Sequence, residues 1–195
     1  MTSNHTRYLR HTSLTANCRR LFGISQGDNT WIVNPLSNNQ TCEEFFNFDD
    51  WESHTGLEQS DTSLIFLWDG PDGLSLVIIH DTWEDDGSGG AVRFEFIGLP
   101  GEGSWVVQND PDNFDSATDT DVQWSWSADH NDGGVFRGGL DGTFEITIVP
   151  GFNVGIPLDP GEITTWKLVS GDLSSPTQYV LDMSENLTIS DSISA

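Results

Sequence analysis

Positive charge is scarce in this chain. Its 195 residues contain 7 Lys and Arg against 31 Asp and Glu, which gives a formal net charge of −24. Lys167 is the single lysine, and Asp outnumbers Glu by 21 to 10. Binding to nucleic-acid phosphates or to an anionic membrane surface requires clustered cations, so the composition excludes both for the body of this protein.

Long apolar runs are also missing, since none approaches the roughly 18 residues of a membrane-spanning helix, and we expect no membrane insertion. Cysteine is rare as well. Cys18 and Cys42 allow one disulfide or two free thiols, and the sequence leaves both alternatives open. Aromatic residues, by contrast, are plentiful, with 8 Trp and 11 Phe. They supply enough apolar area for a core, so the high charge does not indicate disorder.

The excess of Asp and the near absence of Lys are typical of proteins from salt-accumulating halophilic archaea. Molar salt screens charges beyond about 3 Å, which suppresses the self-repulsion of such a polyanion. On this interpretation, most of the carboxylates are solvated surface groups.

The first twenty residues differ in composition from everything that follows. They contain no acid, yet they hold four of the six arginines: Arg7, Arg10, Arg19 and Arg20. They also lack the apolar stretch of a secretory signal. We therefore predict a basic arm or processed segment at 1–22 and one domain at 23–195. A retained arm would be suited to docking on the acidic surface of a second copy, which predicts a homo-oligomer.

Apolar and polar residues alternate with period two from residue 63 onward, the pattern of half-buried strands. Turn sequences separate the runs, notably Asp69–Gly73 and Asp141-Gly142, the second of which suits a two-residue hairpin. Thr41–Glu44 matches a capping box and predicts at most one short helix. About ten short strands without intervening helices predict an all-β fold, an antiparallel β-sandwich resembling a jelly roll.

If successive strands run antiparallel, the connections 81–90, 109–121 and 141–142 fall at the same end of the sandwich. These connections hold ten carboxylates. Clustered loop carboxylates are ligands that Ca²⁺ prefers, so this end is a candidate Ca²⁺ site, with a solvated and salt-screened rim as the alternative. The candidate ligands are Asp85, Asp86, Asp110, Asp112, Asp115, Asp119 and Asp121.

Trp83 is the candidate binding residue. It follows a predicted strand within an acidic connection, where an exposed indole can stack on a sugar ring or contact a partner protein. The alternative is a loop anchor that folds back onto the sandwich. Gly23–Gly27 matches the G-x-S-x-G nucleophile pattern, but no helix is predicted after it, so we interpret it as a turn. We expect Arg137 to pair with a loop Asp.

Four segments carry a resemblance to other sequences: Trp68-Asp69-Gly70-Pro71-Asp72-Gly73, Gly98-Leu99-Pro100 with Trp105-Val106-Val107, Asp132-Gly133-Gly134-Val135-Phe136-Arg137-Gly138-Gly139-Leu140 and Phe144-Glu145-Ile146-Thr147-Ile148. Over roughly residues 63–170 the chain resembles uncharacterised acidic β-rich proteins of halophilic archaea and other prokaryotes. This resemblance implies a fold and a habitat, but no activity.

Together these features favour a salt-adapted binding or structural module at a cell envelope, an appendage or a virion, outside the cell. Its expected partners are protein subunits or carbohydrate. Because no catalytic constellation stands out, an enzyme is the less favoured interpretation. Two alternatives stay open: a carbohydrate-active or other hydrolase that uses two loop carboxylates, and a cytoplasmic protein of a salt-accumulating cell.

Overall fold

Twelve strands and one short helix make up the computed structural model, which describes residues 20–50, 52–84, 88–109, 114, 116–157 and 159–191. The helix, α1, spans Cys42–Phe46. The strands in chain order are β1 Phe22–Gln26, β2 Asn29–Val33, β3 Thr62–Gly70, β4 Gly73–His80, β5 Gly90–Ile97, β6 Ser104–Gln108, β7 Asp121–Trp126, β8 Asp132–Arg137, β9 Glu145–Phe152, β10 Thr165–Asp172, β11 Ser175–Leu181 and β12 Leu187–Ser190.

The strands form two six-stranded sheets. Sheet A has the order β2-β1-β12-β9-β5-β7, and sheet B has the order β11-β10-β3-β4-β8-β6. Neighbouring strands are antiparallel except for β3 and β10, which run parallel. The predicted all-β sandwich is therefore confirmed, although the described residues contain two more strands than expected and one parallel pair.

The core between the sheets follows from the period-two alternation. On β5, three apolar side chains point inward and are buried, whereas Arg93 and Glu95 are exposed. β7 repeats the pattern, so the period-two alternation predicted from residue 63 onward is confirmed on these two strands. Aromatic rings fill this layer edge to face, with the ring centroids of Phe94 and Trp124 5.7 Å apart.

Strands β3 and β4 are buried on both faces, which explains their nearly continuous apolar sequences. Residues between β2 and β3 fold over the outer face of sheet B and bury a second apolar cluster there. α1 lies in this cover, and the ring of Phe45 stacks on Trp68 with centroids 3.8 Å apart. Thr41 caps the helix: its hydroxyl accepts from the Glu44 N–H, and the Glu44 carboxylate accepts from the Thr41 N–H. The predicted capping box is confirmed.

The sandwich has two ends, which we call the hairpin end and the cleft end. The hairpin end holds the β3–β4 turn and the connections 98–103 and 138–144. The cleft end holds the connections 81–89, 127–131 and 153–164. At the cleft end, His80 on β4 pairs with Asp132 on β8, and Trp126 Nε1 donates to Asp81 Oδ2 at 3.1 Å.

The predicted grouping of three acidic connections at one end is wrong. Asp121 pairs with Glu95 near the hairpin end of β5, whereas Asn109 lies at the cleft end, where its N–H donates to Gly133 O at 3.3 Å. Residues 109–121 therefore run from one end to the other, and the connection that contains Asp141 lies at the hairpin end. The prediction failed because it assumed that every connection reverses the chain at one end.

Asp141-Gly142 does not close a hairpin either. β8 belongs to sheet B and β9 to sheet A, so residues 138–144 cross between the sheets. Gly138 and Gly139 have φ values of 105° and 73°, which redirect the chain out of sheet B. Leu140 is buried in the core and anchors the crossing.

Ser25 lies within β1, a strand that continues through a tight turn into β2. The strand-to-helix elbow of a G-x-S-x-G nucleophile is therefore not formed here. The predicted arm lies almost wholly outside the described residues, so its boundary stays a prediction. Its one described arginine, Arg20, donates to the carbonyls of Leu140 and Gly142 at 3.2 and 2.7 Å. No helix in the described part of the chain has the length and apolar character needed to cross a membrane.

Candidate binding cleft

A cleft of about 310 Å³ opens at the cleft end beside Trp83. Two separate segments form it, one before β3 and one after β4. Its lining residues are His54, Gly56, Glu58, Thr82, Trp83 and Glu84. The Trp83 side chain is 37% exposed, so much of the indole faces solvent.

Buried Asp81 fixes the wall that carries Trp83. Asp81 adopts φ 70°, and its Oδ1 accepts the N–H groups of Asp61 and Thr82, each at 2.9 Å. Its Oδ2 accepts Trp126 Nε1. A carboxylate that accepts several such bonds holds the backbone in one conformation. Trp83 therefore projects from an anchored turn.

The opposite wall is held by a buried amide. Asn131 Oδ1 accepts the Ser53 N–H at 2.8 Å, and Asn131 Nδ2 donates to Ser53 O at 3.2 Å. From this anchor the chain leads to His54, whose ring contacts Trp83 edge to face with centroids 5.2 Å apart. The two walls therefore meet through these two rings.

Glu58 is the carboxylate most firmly placed in the cleft. Its Oε1 accepts the Ser53 hydroxyl at 2.9 Å, the Thr55 N–H at 2.7 Å and the Thr55 hydroxyl at 2.8 Å. Its Oε2 has no hydrogen-bond partner within the described part of the protein, so it is placed to accept a hydrogen bond from a ligand. Glu84 supplies a second carboxylate on the facing wall.

A second cleft of about 340 Å³ adjoins the first at His54, which lines both. Amide and hydroxyl side chains dominate it: the lining residues are Asn38, Gln40, Glu44, Phe45, Asn47, His54, Thr55 and Leu173. The two clefts together offer an extended polar surface with one exposed indole.

Trp83 is the predicted site residue that the structure places in a cleft. Of the predicted Ca²⁺ ligands, Asp119 and Asp121 are described: Asp119 Oδ1 accepts the Asp121 N–H at 3.1 Å, and Asp121 Oδ1 accepts Arg93 Nε at 2.6 Å. This hydrogen bond from Arg93 lowers the pKa of the Asp121 carboxyl. The backbone carbonyl of Asp119 accepts Trp105 Nε1 at 2.9 Å. The other five candidates, Asp85, Asp86, Asp110, Asp112 and Asp115, lie outside the described residues, so the Ca²⁺ site stays a prediction.

Cys42, Glu43 and Asp72 form the one group of metal-ligand type found among the described residues. A guanidinium already sits among them: Arg137 Nη1 donates to Glu43 Oε2 at 2.6 Å, to Cys42 Sγ at 3.2 Å and to Asp72 Oδ2. Burial, reinforced by the hydrogen bond to Glu43, raises the pKa of the Cys42 thiol to about 12. A protonated thiol beside a cation is a poor metal ligand and a poor nucleophile. The cluster is structural, and the expected pairing of Arg137 with a loop Asp is confirmed.

Cys42 is buried and forms no disulfide with a described residue, whereas Cys18 lies outside the described residues. The two alternatives for this pair are therefore not tested.

Sequence reasoning missed the cleft residues other than Trp83. His54 and Glu58 precede β3, while Thr82 and Glu84 follow β4, and no spacing pattern relates the two segments. The signal that was present is Asp81, an acid directly after a buried strand. Comparison with known protein families, with curated proteins and with solved structures finds no match to this chain.

Proposed function

We propose that this protein is a surface binding module whose ligand is a neutral, extended carbohydrate held in the paired clefts beside Trp83. The exposed indole on an anchored turn carries the proposal. An indole face offers apolar area to the C–H face of a sugar ring, while the surrounding oxygen and amide groups can bind its hydroxyls. Glu58 Oε2 and the amide groups of Asn38 and Gln40, of which Asn38 Nδ2 also donates to Gln40 Oε1, support the second task.

Charge and salt favour a neutral ligand. Glu58 and Glu84 line the first cleft, and an anionic ligand would be repelled by them and by the net charge of −24. A cationic ligand would depend on attractions that molar salt screens beyond about 3 Å. Stacking of apolar surfaces does not weaken in salt, so it is the mode of binding suited to the salt-adapted habitat that we also propose.

A panel of neutral oligosaccharides and polysaccharides, titrated in 2 M KCl by calorimetry, tests the proposal. For any ligand that binds, we expect Trp83→Ala to weaken the affinity at least tenfold, about 1.4 kcal/mol, because the stacking surface is removed. Phe48→Ala is the matched control, because Phe48 is 43% exposed but lines neither cleft. Equal losses in both variants, or binding of a tetramethylammonium probe in preference to every sugar, would contradict the proposal.

Hydrolysis by two carboxylates is the second candidate, because Glu58 and Glu84 face the same cleft. Glycoside hydrolysis needs one carboxyl group that gives up a proton. The three hydrogen bonds that Glu58 Oε1 accepts fix this side chain in its wall, which supports its use as a rigid ligand-binding group. Incubation of a bound oligosaccharide with wild-type protein and with Glu84→Gln decides between the two. Release of new reducing ends by wild type alone would establish hydrolysis.

A further inference from the structure

The edge strands on the two sides of the sandwich differ in whether their outer backbone groups have hydrogen-bond partners. On one side, β7 is capped where Asp132 Oδ2 accepts the Ser125 N–H at 3.2 Å. β6 is covered on the same side, since the Trp105 N–H donates to Ala117 O at 2.7 Å. Both edge strands on this side therefore have partners for backbone groups.

On the other side, β2 and β11 are the edge strands, and they lie together. The rings of Trp31 on β2 and Tyr179 on β11 approach to 6.0 Å between centroids. Within the part of the chain that the structure describes, no hydrogen bond links the outer edge of either strand to another segment. We call β2 and β11 the paired edge.

Each strand of the paired edge carries an exposed apolar side chain and no charge. Val180 on β11 is 71% exposed on the outer face of sheet B, and Ile32 on β2 is 53% exposed on the outer face of sheet A. Neither strand contains Asp, Glu, Lys or Arg. Soluble proteins usually protect open edges with charged residues, proline or a covering segment. Pro176 near the hairpin tip is one such device, but the remainder of β11 has none among the residues that the structure describes.

We propose that the paired edge is the surface through which two copies of this chain associate, by antiparallel pairing of β11 with β11 across a two-fold axis. An antiparallel strand pair is self-complementary, so one strand supplies both halves of such an interface. A second copy also carries a net charge of −24 and is repelled by acidic surface. It can approach closely where the surface is uncharged. A basic partner would instead be drawn to the carboxylates elsewhere on the molecule.

Sedimentation equilibrium in 2 M KCl tests this interface with a matched pair of variants. We expect wild type to show a concentration-dependent mass rising toward twice 21.5 kDa. Val180→Glu adds a carboxylate to the pairing strand of each copy, so it should raise the dimer dissociation constant at least tenfold. Val154→Glu makes the same change at a valine that is 48% exposed outside the paired edge, and it should leave the constant unchanged.

Hydrogen exchange on wild-type protein identifies the contact even if one variant folds poorly. Amides of β11 should gain protection as protein concentration rises through the dissociation constant, while amides of β6 should not change. A single mass of 21.5 kDa at every concentration would overturn the proposal. So would a dimer whose protection lies outside β2 and β11, or one that Val154→Glu disrupts as strongly as Val180→Glu.

Discussion

Single residues in this protein show how burial decides the protonation state of a titratable side chain. His80 is fully buried, and its ring contacts Phe94, Trp124 and Trp126, while its Nδ1 lies 3.0 Å from the Ser63 hydroxyl. Burial lowers the pKa of His80 to about 3. An unfolded chain holds its histidines near a pKa of 6.5. His80 is therefore neutral in the folded protein wherever the fold survives.

The buried His80 predicts a loss of stability in mild acid. Between pH 6.5 and about 3 the unfolded chain binds a proton that the folded chain excludes, so the free energy of unfolding falls as pH falls. From pH 6.5 to 5 this one group should cost about 2 kcal/mol. Urea unfolding across that range measures the slope. His80→Gln should flatten it, because this variant has no imidazole at the buried position. A His80→Gln variant with unchanged slope would contradict the assignment.

Arg137 illustrates a different use of charge. Burial opposes the charge of Arg137, but hydrogen bonding to Glu43 raises its pKa, so the guanidinium stays charged. For Asp72, burial also opposes ionisation, but the hydrogen bond from Cys42 and those from backbone N–H groups keep its pKa lowered. Both groups are thus ionised and mutually dependent.

Removal of Arg137 should leave two carboxylates uncompensated beside a thiol. We expect Arg137→Met to lower the free energy of unfolding by about 2 kcal/mol. Asp72→Asn in the same chain should recover part of that loss, because it removes one of the uncompensated charges. Arg93→Gln, which breaks the exposed pair with Asp121, serves as the control and should have a smaller effect. A double-mutant cycle that gives no coupling free energy between Arg137 and Asp72 would contradict this account.

At the scale of elements, α1 is only five residues long and depends on its cap. Thr41→Ala removes the hydroxyl that accepts the Glu44 N–H, and we expect a loss of about 1 kcal/mol in the free energy of unfolding. Thr41→Ser keeps the acceptor and should retain most of the stability. If the alanine and serine variants unfold at the same urea concentration, the cap does not contribute.

Local patterns predicted those elements that local physics determines. The Asp69–Gly73 turn joins β3 to β4 as a hairpin, because Gly73 supplies a φ of 104° that a tight turn requires. The cap at Thr41 and the alternation on β5 and β7 were readable for the same reason. Each of these signals lies within a few residues of the feature that it predicts.

Sheet membership could not be predicted, because it depends on partners far along the chain. The Gly23–Gly27 segment is predicted as a turn because no helix is predicted after it, yet β1 covers most of this segment and pairs with β12, more than 160 residues away. Asp141-Gly142 predicts a hairpin, but the chain crosses here from one sheet to the other, and the buried Leu140 anchors the crossing. Of the candidate cleft, Trp83 was predictable as an exposed aromatic in an acidic connection. Its neighbours His54 and Glu58 arrive from another segment.

At the scale of the whole molecule, the net charge of −24 should make stability depend steeply on salt. Raising the ionic strength from 0.1 to 1 M shortens the Debye length from about 10 to about 3 Å and screens the repulsion among carboxylates. We expect the melting temperature in 2 M KCl to exceed that in 0.1 M KCl by roughly 10 °C or more. A melting temperature that stays constant or falls would remove salt adaptation from the proposal.

A chelator distinguishes stabilisation by the predicted Ca²⁺ site from this general effect of salt. In 2 M KCl, where screening is already complete, a specific site predicts that Ca²⁺ raises the melting temperature and that chelation lowers it again. Asp112→Asn should weaken the response, whereas Asp28→Asn, outside the candidate set, should preserve it. An identical melting temperature with and without chelator would leave the carboxylates as solvated surface.

The chain enters and leaves the sandwich at the hairpin end. Arg20 reaches Gly142 there, and the Asp191 N–H donates to Phe144 O at 3.3 Å. The Trp83 cleft opens at the opposite end, one strand length or about 25 Å away. Arg20 and Asp191, where the described part of the chain begins and ends, therefore lie at the end opposite the cleft. In the proposed pair, antiparallel strands would turn the two clefts in opposite directions, a geometry that bridges two ligand-bearing surfaces and does not grip one surface twice.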